Sequence, residues 1–171
     1  MKKFINVDPN TIENDSRVAL KFTEFAEELG RDRFYFLLKD KNYFIWVIKT
    51  FSPAYDTHPA EWGSEILLEF PISGLPWFIN TIEQRFFKTG ADGGLEKGKF
   101  SHEEEIAGER LCISRMFGEP GYGFRNCSRN DYVHTTYDSP QEADFSDELL
   151  FQKGLFDEFK IISEKLSMGK L

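Results

Sequence analysis

The stretch RFYFLLKDKNYFIWVIK, residues 33–49, constrains the fold of this chain more than any other segment. Two runs of strand length, rich in aromatic and β-branched residues, flank the polar break Lys39-Asp40-Lys41-Asn42, which is the pattern of an antiparallel hairpin. Side chains alternate along a strand, so Phe34, Phe36 and Leu38 point one way and Tyr35 and Leu37 the other. In the partner run Tyr43, Ile45 and Val47 oppose Phe44, Trp46 and Ile48. Both faces of the hairpin are therefore apolar, and the rest of the chain must cover both.

Residues 1–16 carry the turn and cap signals Asp8-Pro9-Asn10 and Asn14-Asp15-Ser16, which predict an irregular lead-in. Residues 17–30 fit a strand through Val18, Leu20 and Phe22 and a helix through Val18, Phe22, Phe25, Ala26 and Leu29; the strand is the preferred reading. Beyond a loop at 52–63, Ser64 to Phe70 reads as another strand. Residues 74–88 then switch to helical spacing, with Leu75, Phe78, Ile79, Ile82 and Phe86 on one side and Pro76 in the first turn. The glycine-rich segment GADGGLEKGK marks a linker over residues 90–98. Strands are predicted again from His102 to Ala107, Glu109 to Phe117 and Tyr122 to Arg129. A polar acidic loop follows, then a short strand from Ser146 running into a helix with Leu155, Phe159, Ile162 and Leu166 on its face.

The two halves thus repeat one order of elements. SEILLEFPISGLPWF at 64–78 is echoed by SDELLFQKGLFDEF at 146–159, which points to an internal repeat. The predicted organisation is a single domain over residues 1–171, made of one repeat at 17–89, a linker at 90–98 and a second repeat at 99–167. On RFYFLLKDKNYFIWVIK, SEILLEF and the following helix, the chain resembles the PUR repeat family and the similar Whirly proteins. GERLCISRMFGEPGYGFRNCSRND fits the same template more loosely. The resemblance implies an α+β fold: two repeats of a four-stranded antiparallel sheet followed by a helix, packed as an intramolecular pseudo-dimer. It also implies single-stranded DNA or RNA binding through the turn between the second and third strands and the adjacent sheet surface. Carried over by position, the turn gives Lys39, Lys41 and Asn42, with Tyr43 or Phe44 as stacking side chains. In the second repeat the turn becomes Gly118-Glu119-Pro120-Gly121, flanked by Arg115 and Arg125.

Charge sets the limits on that function. The chain of 171 residues carries a formal net charge of −8, which argues against binding nucleic acid by bulk charge and leaves room for a local basic patch. Arg31, Arg33, Lys39, Lys41 and Lys49 outnumber Asp32 and Asp40, and Arg110, Arg115, Arg125 and Arg129 outnumber Glu119; both stretches interleave cations with rings. The 18 phenylalanines suit broad sheet faces and also stacking on bases. The acidic stretch 138–148, with Asp138, Glu142, Asp144, Asp147 and Glu148, supports the alternative of a module that binds a basic protein partner. Other motifs point nowhere specific. Gly93 to Lys99 satisfies GxxxxGK, but Phe100 stands where Ser or Thr should hold magnesium. His102 and Glu103-Glu104-Glu105 alternate across a strand and cannot converge on one ion. Cys112 and Cys127 read as buried thiols rather than a disulfide framework, and Cys112 with His134 lacks an orienting signature for catalysis. The expectation is a cytoplasmic protein without catalysis, cofactor, metal or membrane segment, able to form a homodimer.

Overall fold

In the computed structural model, residues 7–8, 10–27, 30–130 and 139–171 are described. The first half is an antiparallel meander in the order β1-β2-β3-β4, built from Val18–Ala26, Arg31–Asp40, Tyr43–Ser52 and Glu61–Pro71. Of the ambiguous segment at 17–30, Val18–Ala26 is the strand β1, because pairing with β2 satisfies its backbone; Leu29 lies outside the described residues. The opening hairpin is β2–β3, with Phe36 opposite Val47 and Leu37 opposite Trp46. At its tip Lys41 takes a positive φ of 53°, the left-handed conformation that closes a tight turn. Helix α1, Gly74–Thr81, follows β4 and continues as a wider π-helical turn over Ile82–Phe86.

The second half repeats this plan with β5 (Ser101–Ile106), β6 (Glu109–Arg115), β7 (Gly121–Asn130), β8 (Pro140–Ser146) and α2 (Leu155–Ser167). Its sheet order is β5-β6-β7-β8, so each repeat has an antiparallel four-stranded sheet ahead of its helix. One expectation is corrected here. The last strand is Pro140–Ser146, within the segment read from sequence as an acidic loop, while Glu148–Gln152 is a π-helical turn. Only Ala143 and Phe145 give that strand apolar inward positions, the third being Gln141, so its alternation is nearly invisible. The echo between SEILLEF and SDELLF therefore aligns a strand with a helical turn.

Each sheet has an inner face toward the shared core. Tyr35, Leu37, Phe44, Trp46, Leu68 and Phe70 meet Leu111, Ile113, Tyr122, Phe124 and Phe145, with the two helices packed into the same cluster. At its centre, rings from six elements interlock. Phe78 of α1 stacks on Phe124 of β7 at 5.0 Å, Phe70 of β4 lies 4.9 Å from Phe124, and Trp46 of β3 contacts Phe145 of β8 and Phe159 of α2 at 5.5 Å each. Gly74 is required at this joint, since a Cβ there would come within 2.9 Å of both Leu111 Cδ1 and Phe70 Cδ2. On the outer face of the first sheet a second cluster joins Phe36, Leu38, Ile45 and Val47 to Val7 and Ile12. The lead-in thus supplies the cover for the hairpin's second face through Val7 and Ile12. A register shift between Trp46 and Val47 on β3 pairs them with Leu68 and Ile66, leaving Leu67 as the extra residue on β4. That bulge rephases the strand, so Leu68 and Phe70 face the core while Ile66 and Trp62 face outward.

The halves are joined by a buried ionic network. The Arg129 guanidinium donates to Glu69 Oε2 at 2.6 Å and to Glu109 at 2.9 and 2.8 Å. Tyr43 donates its hydroxyl to Glu109 Oε1 at 3.1 Å, and its ring lies 4.6 Å from the Arg129 guanidinium carbon. β4 is the edge of its sheet, and its backbone at Glu69 is closed by side chains of the other repeat. The Glu69 N–H donates to Gln141 Oε1 at 2.8 Å, and Asn126 Nδ2 donates to the Glu69 carbonyl at 2.7 Å. Burial works to lower the Arg129 pKa, but the Glu109 and Glu69 carboxylates outweigh it and raise the pKa overall.

Arg129→Ala takes from Glu69 and Glu109 the guanidinium that bridges them in a buried site and is expected to cost about 3–5 kcal/mol, a Tm drop of about 10 °C for a chain of this size. Without that cation, burial and the neighbouring carboxylate push the folded-state pKa values of Glu69 and Glu109 up in the variant. Its deficit is then largest at neutral pH and shrinks as pH falls through those raised values. Calorimetry of both proteins between pH 5 and 8 checks the size and the sign; a deficit that grows on acidification refutes the assignment. Phe124→Ala, at a residue only 2% exposed, is expected to cost about 3–5 kcal/mol in urea unfolding, without that pH dependence.

Candidate nucleic-acid interface

The open end of the first sheet's outer face collects rings and cations from all four strands. Outward alternation places Phe34 of β2 opposite Lys49 of β3, and Phe51 of β3 opposite Trp62 of β4. Lys21 of β1 pairs with Phe36 and projects from the same face. The Trp62 ring lies 5.7 Å from Phe34 and 5.1 Å from Phe51. Lys49 Nζ sits 5.1 Å from the Trp62 centroid, Lys21 Nζ 5.1 Å from that of Phe34, and the Arg31 guanidinium 5.4 Å from that of Phe51. Arg31 also donates to the Phe51 carbonyl at 2.9 Å, which fixes its position at the strand end. Trp62 is 39% exposed, whereas Lys49 is only 6% exposed. Glu13 reaches this cluster from the lead-in: its Oε1 is 3.2 Å from Lys49 Nζ and 3.9 Å from Lys21 Nζ.

The second sheet's outer face is different in kind. It forms a groove of about 830 Å³ lined by Lys99, Ser114, Arg115, Arg125, Glu142 and Asp144, with Phe100 and Phe117 at its rim. Those two rings are 55% and 85% exposed and meet at 5.8 Å. Gly123 keeps the floor open, because a Cβ there would lie 2.7 Å from Glu142 Oε1 and 3.2 Å from Asp144 Oδ1. Both arginines are engaged: Arg125 donates to Glu142 at 2.7 Å, and Arg115 to Asp147 at 3.2 Å while lying over the Tyr122 ring. Desolvation and then the Glu142 carboxylate raise the Asp144 pKa. On the same face, burial pushes the Cys112 thiol up to about 11 and keeps it protonated at neutral pH.

The residues singled out from sequence are dispersed over the molecule. Lys41 and Asn42 form the β2–β3 turn, where the Asn42 carbonyl accepts from the Ile72 N–H at 3.0 Å, while Lys39 lies on β2 opposite Phe44; among the described residues neither lysine has an ion-pair partner. Tyr43 belongs to the Glu109 network. Phe44 is 0% exposed and packed on Phe70, so it has no face to offer a base, which corrects its reading as a stacking side chain. Arg33 lines a pocket of about 530 Å³ where the halves meet, together with Glu24, Glu27, Glu119, Asp144, Glu148 and Lys153. Arg129, counted from sequence with Arg110, Arg115 and Arg125 in the second basic stretch, is buried. Of the acidic stretch, Asp138 and also His134 lie outside the described residues, while Glu142, Asp147 and Glu148 pair with Arg125, Arg115 and Lys153. His102 and Glu104 face inward and stand beside Trp77, which donates its indole N–H to Glu104 at 2.8 Å. Among the described residues no group of three His, Cys, Asp or Glu converges as metal ligands, and no helix is long and apolar enough to cross a membrane.

The ring-and-cation cluster itself was missed because β4 begins at Glu61 rather than Ser64, which brings Trp62 out of the loop and onto the sheet. The available signal was Trp62 on a backward extension of the strand, two positions before Ser64 and in phase with it.

No family model matches the chain, and no curated protein matches it. Among solved structures, the chain is similar to one described as Trypanosoma bruciei MRP1/MRP2, at 10% sequence identity over 93% of this chain and 87% of that one, with a TM-score of 0.39.

Proposed function

We propose that the chain binds single-stranded nucleic acid, DNA or RNA, across the outer face of its first sheet, in the manner of a PUR-like or Whirly-like protein and without catalysis. The observation that carries this reading is the interleaving of Trp62, Phe34 and Phe51 with Lys21, Lys49 and Arg31 on one exposed sheet end. Single-strand binding needs those two elements together, a ring for each base and a cation beside it for the backbone, with stacking worth about 1–3 kcal/mol per base. Phe34 and Phe51 brace Trp62 from two sides, so the indole is already oriented before a base arrives. In an acidic chain this arrangement makes stacking, and not bulk charge, the main source of affinity.

A second reading is favoured by the pocket between the halves, whose lining has Glu24, Glu27, Glu119, Asp144 and Glu148 against Arg33 and Lys153. That excess of carboxylates suits a lysine- or arginine-rich protein segment. Labelled oligolysine, added in the same assay, measures it directly.

Fluorescence anisotropy of labelled oligo-deoxythymidine and oligo-uridine is expected to show saturable binding that weakens with salt. Trp62→Ala should lower affinity about tenfold or more while the circular dichroism stays unchanged, as one stacked base requires. Lys21→Ala should reduce the salt slope by about 0.7, the loss of one single-strand phosphate contact. Absence of binding at low ionic strength by the folded protein overturns the reading.

A further inference from the structure

The site proposed above already contains an anion. Glu13 lies on the 3-10 turn Ile12–Asn14, and its carboxylate reaches Lys49 at 3.2 Å and Lys21 at 3.9 Å, the lysines beside Trp62 and Phe34 respectively. The turn is fixed on both sides. Ile12 is 1% exposed in the apolar cluster with Phe36, Leu38, Ile45 and Val47. On the other side Asp15 holds Arg17 at 2.6 Å, and Arg17 reaches Asp40 at 3.6 Å at the end of β2. The Glu13 side chain itself is 38% exposed, so its carboxylate can leave without unpacking Ile12. Lys49 is different, because its side chain is only 7% exposed and its ammonium needs an anion wherever Glu13 goes. A phosphate meets that need on the same face and at the same place.

We infer that Glu13 is an intramolecular competitor of the nucleic-acid backbone: it occupies the Lys49–Lys21 position in the free protein and is displaced when a phosphate enters. This rests on the nucleic-acid reading and adds a regulatory element to it. Affinity is set by the difference between a phosphate and a carboxylate at one pair of lysines, which keeps the site closed to weak anions and open to a strand that also stacks on Trp62. Any change that removes or moves the Glu13 charge releases the site.

The test compares wild type, Glu13→Gln and Trp62→Ala for binding to labelled oligo-uridine and oligo-deoxythymidine. Glu13→Gln is expected to bind about fivefold more tightly than wild type, the range of one partly exposed ion pair removed from the free state. In the wild type, the carbon NMR resonance of the Glu13 carboxyl should shift as the oligonucleotide saturates, a readout that holds even where Glu13→Gln folds poorly. Binding that is lost in Trp62→Ala but equal in wild type and Glu13→Gln, with an unmoved Glu13 carboxyl, overturns the competitor and leaves the nucleic-acid reading standing. No binding by folded wild type or by folded Glu13→Gln overturns both.

Discussion

Arg129 is the residue on which the joining of the two halves turns. Its guanidinium holds Glu69 from the first repeat and Glu109 from the second, in a site where each of the three is under a tenth exposed. Buried charges of this kind give little net stability compared with an apolar core of equal volume, but they strongly penalise any arrangement that separates them. The same patch closes the edge of β4 through Asn126 and Gln141, so the sheet has no free edge at that point to pair elsewhere. With β4 fixed against β7 and β8, the rings of Phe70, Phe124 and Phe78 fall into contact, and the aromatic core follows from a polar alignment.

The repeat is a plan and not a symmetry of surfaces. The turn of the first repeat ends at Tyr43, whose hydroxyl is sealed into the Glu109 network, while Met116 and Glu119, in the connection between β6 and β7, line an open pocket with Glu24 and Arg33. The outer faces differ likewise. The middle of the first is occupied by Ile12 and Val7 and its end carries rings with cations; the second is a polar groove with its arginines already paired. Two copies of one architecture thus provide distinct chemistries, which is the practical use of duplicating a sheet.

Much of this was legible in the chain. The β2–β3 hairpin, the sheet-then-helix order in both halves and the amphipathic faces of α1 and α2 follow from periodicities of two and 3.6, from which the structure departs at the π-helical turns Ile82–Phe86 and Glu148–Gln152. Three features were not. The bulge at Leu67 inverts the facing of β4 partway along, and only pairing with β3 reveals it. β8 hides because Gln141, an inward residue, is polar and is satisfied by the Glu69 N–H of the other repeat. Arg129 looks like any surface cation until Glu69, 60 positions earlier, is brought beside it. Each of these depends on a long-range partner, and a local pattern carries no trace of one. The candidate site divides the same way. Of its rings only Phe34 lies on a predicted strand, Trp62 falling in the predicted loop, and the meeting of Lys21, Lys49 and Trp62 needs the register of all four strands.

An acidic chain is a poor non-specific binder, and that is compatible with the function proposed for it. A net charge of −8 repels phosphate at distances up to the Debye length, about 8 Å at physiological salt, so any strand must be held by contacts shorter than that. Stacking on Trp62 and a charge-assisted contact at Lys49 are both of that range. Stacking on an exposed ring requires an unpaired base, and a duplex offers only its phosphates and groove edges to such a surface. For the proposed function, an acidic surface would therefore sharpen a preference for single strands, because it weakens the contact that duplexes share with them and leaves intact the one that they do not.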